Sequence, residues 1–303
     1  MSFGTHAYVP DPRNADVLFN VNGDLVSRDK AVVNVFDSGF MLGDGVWEGL
    51  RVHQGKIAFL KDHLDRLWEG CAALGFDIGV TKAALTQRLM DTLAANKMEE
   101  DVHIRLMVTR GLRSTPYQDP RVVVSSATIV IAPEYKKPAP ETATRPQKLY
   151  TVSVRRGRSD VQDPGLNSHS KINCVTACIQ AIEAGADEGL MLDPQGFVAT
   201  CNSTHFFIVR NGEVWTSSGD YCLGGITRGK IVELCKANDI PVFEKNFSLM
   251  KCYSADEAFT TGTFAGLAPV GTIDGRQIGT GERGPMVERL QNLYLDLIHA
   301  DTA

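Results

Sequence analysis

Lys171 is the only lysine between Lys148 and Lys230, and it stands in LNSHSKINCVTAC, just ahead of the apolar stretch VTACIQAIEA. By itself such a lysine reads as a surface residue; the apolar segment beside it opens the alternative of a partly desolvated amine, the form that can attack a carbonyl. That chemistry needs part of the amine neutral against a reference pKa near ~10.4, through desolvation or a neighbouring cation. Downstream, LGGITRGK (223–230) places two glycines and a Thr before a helix-like run. Free N–H groups and the positive end of a helix suit an anion there, although a helix capped simply by Thr227 satisfies the same letters. Arg66 in HLDRL (63–67) offers a planar guanidinium for bidentate anion contact. It lies off the apolar stripe of its own segment and by itself reads as a solvated charge.

These groups need rigid elements to hold them. Leu60, Leu64, Leu67, Cys71 and Leu74 recur at spacings of four and three, which predicts a helix packing on a sheet. Further helices are expected over 85–97, 227–239 and 285–299, the last with Pro285 at its first position. VHIRLMVTRG and RVVVSSATIVIA read as strands. Turn dipeptides Asn22-Gly23, Gln54-Gly55 and Asn211-Gly212 predict antiparallel hairpins. No fixed-period repeat is present.

With 303 residues the chain exceeds the usual size of one domain. The stretch 133–147 carries four prolines and five charges with no apolar period and reads as an exposed connector. We therefore expect a first domain over 1–133, a linker over 134–147 and a second domain over 148–303, both α+β on antiparallel sheets. Hydrophobic residues at 43%, charged residues at 22% and a net charge of -5 give no basic stripe for nucleic acid. No apolar run approaches a membrane span and no apolar signal core opens the chain, so a cytoplasmic protein is expected. The seven cysteines form no C-x-x-C pair, and the histidines show no H-E-x-x-H or comparable spacing, so no metal is expected.

Four segments carry a resemblance when taken in order: VFDSGFMLGDGVWEGLR (35–51) with HLDRL, then Lys171, then LGGITRGK, then ADEAFTTGTFAGLAPV (255–270). Together they resemble the class IV (fold type IV) pyridoxal-phosphate aminotransferases, the branched-chain branch most closely, over nearly the whole chain. The resemblance implies a cofactor cleft between two domains and a homodimer whose partner loop closes the pocket. It implies Lys171 as the covalent anchor of pyridoxal 5′-phosphate and as the acid and base at the substrate Cα. It implies Arg66, Ile226, Thr227 and Thr263 on the phosphate, and Gly43, Arg105 and Phe264 around the substrate. His63 reads as structural. Arg113 lies near the carboxylate trap of D-amino-acid enzymes, but that trap's Arg and His spacing is absent.

The chain departs from the family at the ring. GFVATCNSTHFFIV (196–209) puts Thr200 where the family has the glutamate facing the pyridine nitrogen, and His205 where it has Asn. After the lysine the family runs towards N-Y-L with a tyrosine on the cofactor phenolate; here Ile172, Asn173, Cys174, Val175 and Thr176 follow, and no tyrosine is among them. The interval from Lys171 to Asp187-Glu188 is also about one helical turn shorter than usual. A hydroxyl holds a ring proton less well than a carboxylate, which predicts a weaker electron sink. The leading expectation is amino transfer between an amino acid and a 2-oxo acid; the rivals are a lyase resembling aminodeoxychorismate lyase and a non-catalytic cofactor-binding relative.

Overall fold

The computed structural model describes residues 8–303 and divides them into two units, each built on its own sheet. One unit gathers Pro10–Lys137, Leu166–Ser170 and Asp301–Ala303. The other gathers Pro138–Gly165 and Lys171–Ala300, with the described residues before Pro10.

In the first unit the turn dipeptides act as their letters require. Asn22 (φ 56°) and Gly23 (φ 107°) take the left-handed conformations of a two-residue hairpin turn between β1 (Leu18–Val21) and β2 (Asp24–Ser27). A short α1 (Ser38–Leu42) leads into β3 (Gly45–His53), which returns through Gln54-Gly55 as β4 (Lys56–Ile57). Then come α2 (Leu60–Ala73), α3 (Lys82–Asn96), β5 (Val102–Thr109) and β6 (Thr128–Tyr135). Among the described residues the sheet order is β2-β1-β6-β5-β3-β4, every pairing antiparallel. Leu64, Leu67 and Cys71 of α2 and Leu85, Leu89 and Leu93 of α3 meet Leu50, Ile104, Leu106 and Ile131 of the sheet in one core. The expected strand over RVVV is corrected: Pro120–Val122 is a 3-10 turn whose start is held by the Asp119 side chain accepting from Arg121 N–H, and β6 begins only at Thr128.

The second unit carries β7 (Gln147–Thr151), α4 (Ile172–Glu183), β8 (Glu188–Leu192), β9 (Val198–Cys201), β10 (His205–Arg210), β11 (Glu213–Thr216), α5 (Ile226–Ala237), β12 (Val242–Glu244), α6 (Leu249–Tyr253), β13 (Glu257–Gly262), β14 (Gly266–Ile273), β15 (Arg276–Gln277) and α7 (Pro285–Thr302). The order is β12-β11-β10-β13-β14-β7-β8-β9 with β15 beside β14. β7 and β8 are parallel, which requires the crossover that α4 provides. Parallel pairs β11/β12 and β14/β7 join the antiparallel ones, so this sheet is mixed.

Side-chain alternation splits this sheet into two faces. Leu149, Leu190, Cys201, Phe206, Ile208, Ala258 and Val270 enter one core together with Phe247 and Cys252. Met191 points the other way and packs with Ala177 of α4. Thr200 is the cross-strand partner of Met191, and His205 pairs with Thr261, both out of phase with that core. They therefore share the face that α4 and α5 cover.

Candidate active site

The α5 N-terminus is shaped by glycine. Gly225 occupies the N-cap with φ −68° and ψ 129°, and no side chain caps the helix. A Cβ on Gly225 would collide with the His205 ring, so only glycine lets the first turn lie this close to β10. Thr227 is thus the second helical residue and not the cap; it is buried, with its hydroxyl 3.2 Å from that of Tyr294. The N–H groups of an uncapped first turn, with the dipole behind them, form an anion cradle. On the same sheet face Thr261 is fully buried with no hydrogen-bond partner for its hydroxyl. Buried hydroxyls are normally satisfied, so this one is open to a partner from outside the chain, water or ligand. Gly262 pairs with Gly266 around the turn that holds Thr263 and the buried Phe264.

Lys171 sits at the N-cap position of α4, half-buried, its carbonyl accepting from Val175 N–H at 2.9 Å. Thr200 is buried near the end of β9, and its hydroxyl donates to the Thr204 carbonyl at 2.8 Å. Thr204 in turn donates to Glu188 Oε2 at 2.6 Å, and the Ser203 hydroxyl donates to the other oxygen of that carboxyl. Burial pushes the Glu188 carboxyl up from its ordinary range; the two hydroxyls lower it only in part. Asn202 closes the loop by accepting from Gly189 N–H at 2.7 Å.

The other expected site residues belong to the first unit. Arg66 donates through Nε and Nη2 to the two oxygens of Glu48, at 2.8 and 2.6 Å, and His63 Nδ1 lies 2.7 Å from the same carboxylate. Burial alone would raise the Glu48 carboxyl, but the hydrogen bonds of His63 and Arg66 and the charge of Arg66 hold it below its ordinary value. Gly43 ends α1 at φ 68°, where a Cβ would strike the Ser170 hydroxyl next to Lys171 in sequence. Arg105 is an exposed residue of β5, stacked 3.7 Å from the Trp47 ring centre. Arg113 is held by Asp44 at 2.9 Å and ties down its own loop through the Tyr117 carbonyl. The segment before Lys171 lies along the free edge of β3: Trp47 N–H donates to Asn167 O, His169 N–H to Gly45 O, and Trp47 Nε1 to Ser168 O.

Thr261, Tyr294, Glu188 and Arg156 were not expected from the sequence. The second threonine of AFTTG carried no spacing to mark it, and Arg156 was one of three arginines in RRGR.

A family model described as amino-transferase class IV matches residues 45–273. Over 95% of its length the chain is 38% identical to branched-chain-amino-acid aminotransferase-like protein 2 of Arabidopsis thaliana, and it spans about half (52%) of that relative. It is 38% identical to the putative branched-chain-amino-acid aminotransferase of Methanocaldococcus jannaschii, covering 91% of this chain and 95% of that one. The solved branched-chain aminotransferase of the thermophilic archaeon Thermoproteus uzoniensis, with norvaline, matches at a TM-score of 0.84 and 28% identity over 94% of this chain and 95% of that one. The architecture is therefore the α+β fold type IV. On the matched family and the shared fold, this chain belongs to the class IV aminotransferases.

Proposed function

We propose that this chain binds pyridoxal 5′-phosphate and moves an amino group between an amino acid and a 2-oxo acid, with branched-chain donors as the first expectation. The observation that carries the reading is the common sheet face: the uncapped α5 N-terminus, the orphaned Thr261 hydroxyl and Thr200 lie on the side that α4 covers, and α4 starts at Lys171. These residues fit the cofactor. The N–H groups of Ile226 and Thr227 and the Thr227 and Thr263 hydroxyls would hold a phosphate, and Thr261 would gain the partner it lacks.

When bound, the cofactor supplies an aldehyde for the amino group and a ring that takes up electron density. Lys171 supplies the anchoring amine and holds or moves the proton at the substrate Cα. Thr200 faces the ring nitrogen in this reading, and its own hydrogen is fixed on the Thr204 carbonyl. Its oxygen can then only accept, which favours a ring nitrogen that carries a proton. Arg66 is assigned to the phosphate on the resemblance, with Glu48 fixing its guanidinium plane. Gly43, Arg105 and Phe264 are assigned to the substrate side on the same ground.

A homodimer fits the exposed apolar run of Val32, Val33, Val35, Phe36, Phe40 and Leu42. The cysteines are all free, as suits a reducing compartment, and the cytoplasm is the expected one. Among the described residues no helix is long and apolar enough to cross a membrane.

Borohydride reduction of the yellow protein followed by peptide mass spectrometry tests the anchor, with the label expected on Lys171. Branched-chain donors are then expected to convert the bound cofactor to its aminated form in the wild type and not in Lys171→Ala. A label on another side chain, or no conversion by any amino donor, would overturn the reading.

A further inference from the structure

A cavity of about 520 Å³ opens in the first unit, lined by the β1–β2 turn, the loop that joins α2 to α3, α3 itself and the start of β6. That volume is usual for a small-molecule site. Its apolar wall is continuous with the core of the unit: Ile78 and Ile129 are buried members of that core, and Val80 packs against it. Among the described residues that line the cavity, Arg88 alone carries a charge. The main chain of Arg88 is engaged, its carbonyl accepting from the Thr92 hydroxyl at 2.6 Å. Its guanidinium rests against the β1–β2 turn, where a Cβ on Gly23 would stand 3.8 Å from Cζ, and among the described residues it meets no acceptor. Arg66, Arg110 and Arg113 of the same unit each hold a carboxylate.

A half-buried guanidinium keeps part of its water, so it is the lining as a whole that selects a ligand. Two asparagines of that lining spend their acceptors on the chain: Asn22 Oδ1 accepts from Ile129 N–H at 2.8 Å, and Asn34 Oδ1 from Phe36 N–H at 2.9 Å. Among the described residues neither Nδ2 meets an acceptor. The cavity therefore sets unspent N–H donors and one positive charge against an apolar wall, with no acid to receive an ammonium group.

We propose that this cavity binds a small branched monocarboxylate without an ammonium group, its carboxylate on Arg88 and its branched body on Val21, Ile78 and Val80. The planar guanidinium suits a bidentate pair with the carboxylate, and the apolar wall gives affinity that a bare inorganic anion would lack. An amino acid of the same size would bring an ammonium into a cavity with no counter-charge for it. Under the function proposed above, the class takes in 2-oxo acids and leaves out amino acids. The site itself stands without that reading: its lining lies wholly in the first unit and includes no residue assigned to the cofactor or to the amino-transfer substrate.

Equilibrium dialysis of the purified protein against 4-methylpentanoate, acetate and L-leucine tests this, with wild type and Arg88→Gln side by side. The difference between the two proteins is the Arg88-dependent uptake and leaves out whatever binds elsewhere. It is expected to saturate with 4-methylpentanoate, to be on the order of a hundredfold weaker for acetate, which lacks the apolar body, and on the order of tenfold weaker for L-leucine. Arg88→Lys should keep part of the uptake. Ser126→Glu sets an acid in the lining at an exposed position, leaves Arg88 in place and should abolish it. No uptake by the wild type, no change in Arg88→Gln, or equal affinity for acetate and 4-methylpentanoate overturns the proposal. Val32 and Val33 also line the cavity and belong to the exposed run that fits a homodimer, so the dialysis is repeated across protein concentrations that change the dimer fraction. Uptake that disappears as chains pair would make this face an interface and overturn the proposal as well.

Discussion

The Thr200 hydroxyl donates to the Thr204 carbonyl at 2.8 Å, and the Cys201 N–H donates to the same carbonyl at 2.9 Å. This fixes the polarity of a group that would otherwise be ambivalent. A free threonine beside a pyridine nitrogen can donate, favouring the neutral ring, or accept, favouring the protonated one. With its hydrogen held elsewhere, Thr200 can only accept. The sequence led us to expect a weak electron sink; in the site proposed above, where Thr200 faces the ring nitrogen, the accepting oxygen would recover part of the ring's proton affinity.

Thr200→Val keeps the shape of the side chain and removes the accepting oxygen. We expect amino-donor half-reactions to slow by about tenfold, matching the roughly 1–3 kcal/mol of an unsatisfied buried polar group, with little change in cofactor affinity. Thr200→Ser should behave as wild type. Stopped-flow conversion of the bound cofactor decides: equal rates for Val and Thr would show that the hydroxyl has no influence on the ring.

Glu188 predicts a pH dependence of stability. Its carboxyl is raised by burial, so the folded state favours the protonated form more than the unfolded chain does. That stabilisation is complete below the ordinary carboxyl range and is lost as pH rises through the raised value. Glu188→Gln should flatten this part of the profile and gain on wild type towards alkaline pH. Melting curves taken across the range from mildly acidic to mildly alkaline pH would show parallel profiles for the two proteins if the carboxyl were ionised at no cost.

The local features were legible in the letters because their causes are local. Asn-Gly pairs enforce positive φ, the Leu60 to Cys71 spacing enforces a buried helical stripe, and Pro285 starts α7 where a missing N–H is harmless. Of the two readings of LGGITRGK, the plain Thr227 cap fails although threonine is a usual capping residue, because the packing of Gly225 on His205 moves the helix start two residues earlier. The RVVV strand failed for a similar reason, an Asp-Pro start outweighing β propensity. Partnerships far apart in sequence left no trace: nothing in RRGR marks Arg156 as the buried one, and nothing in ADEGL marks Glu188 as the carboxyl that Ser203 and Thr204 surround.

The Glu48 cluster predicts acid sensitivity. Glu48 is fully buried and its carboxyl is held below its ordinary value by His63 and Arg66 against the opposing effect of burial. The stability it contributes is present above the unfolded carboxyl pKa and is lost as pH falls through the lowered value. Glu48→Ala removes the buried carboxylate that Arg66 and His63 share and should cost about 3–5 kcal/mol. Denaturant midpoints at neutral pH measure the loss. A change within about 0.5 kcal/mol would mean that the pair contributes nothing net.

The contact between Gly225 and His205 supplies a prediction that separates packing from chemistry. A methyl at position 225 must displace the imidazole or the first turn of α5, and the ring is buried, so we expect Gly225→Ala to lose about 1–3 kcal/mol through overpacking. If the turn moves, its N–H groups lose their aim and cofactor affinity falls with stability. If the ring moves, the cradle survives and only stability falls. His205→Ala opens the space on its own, so Gly225→Ala measured in the His205→Ala background should show a smaller penalty on both readouts. The four proteins form a double-mutant cycle in which neighbours in contact couple by about 0.5–3 kcal/mol. Additive losses, with no coupling between the two positions, would show that glycine at 225 is not required by the imidazole.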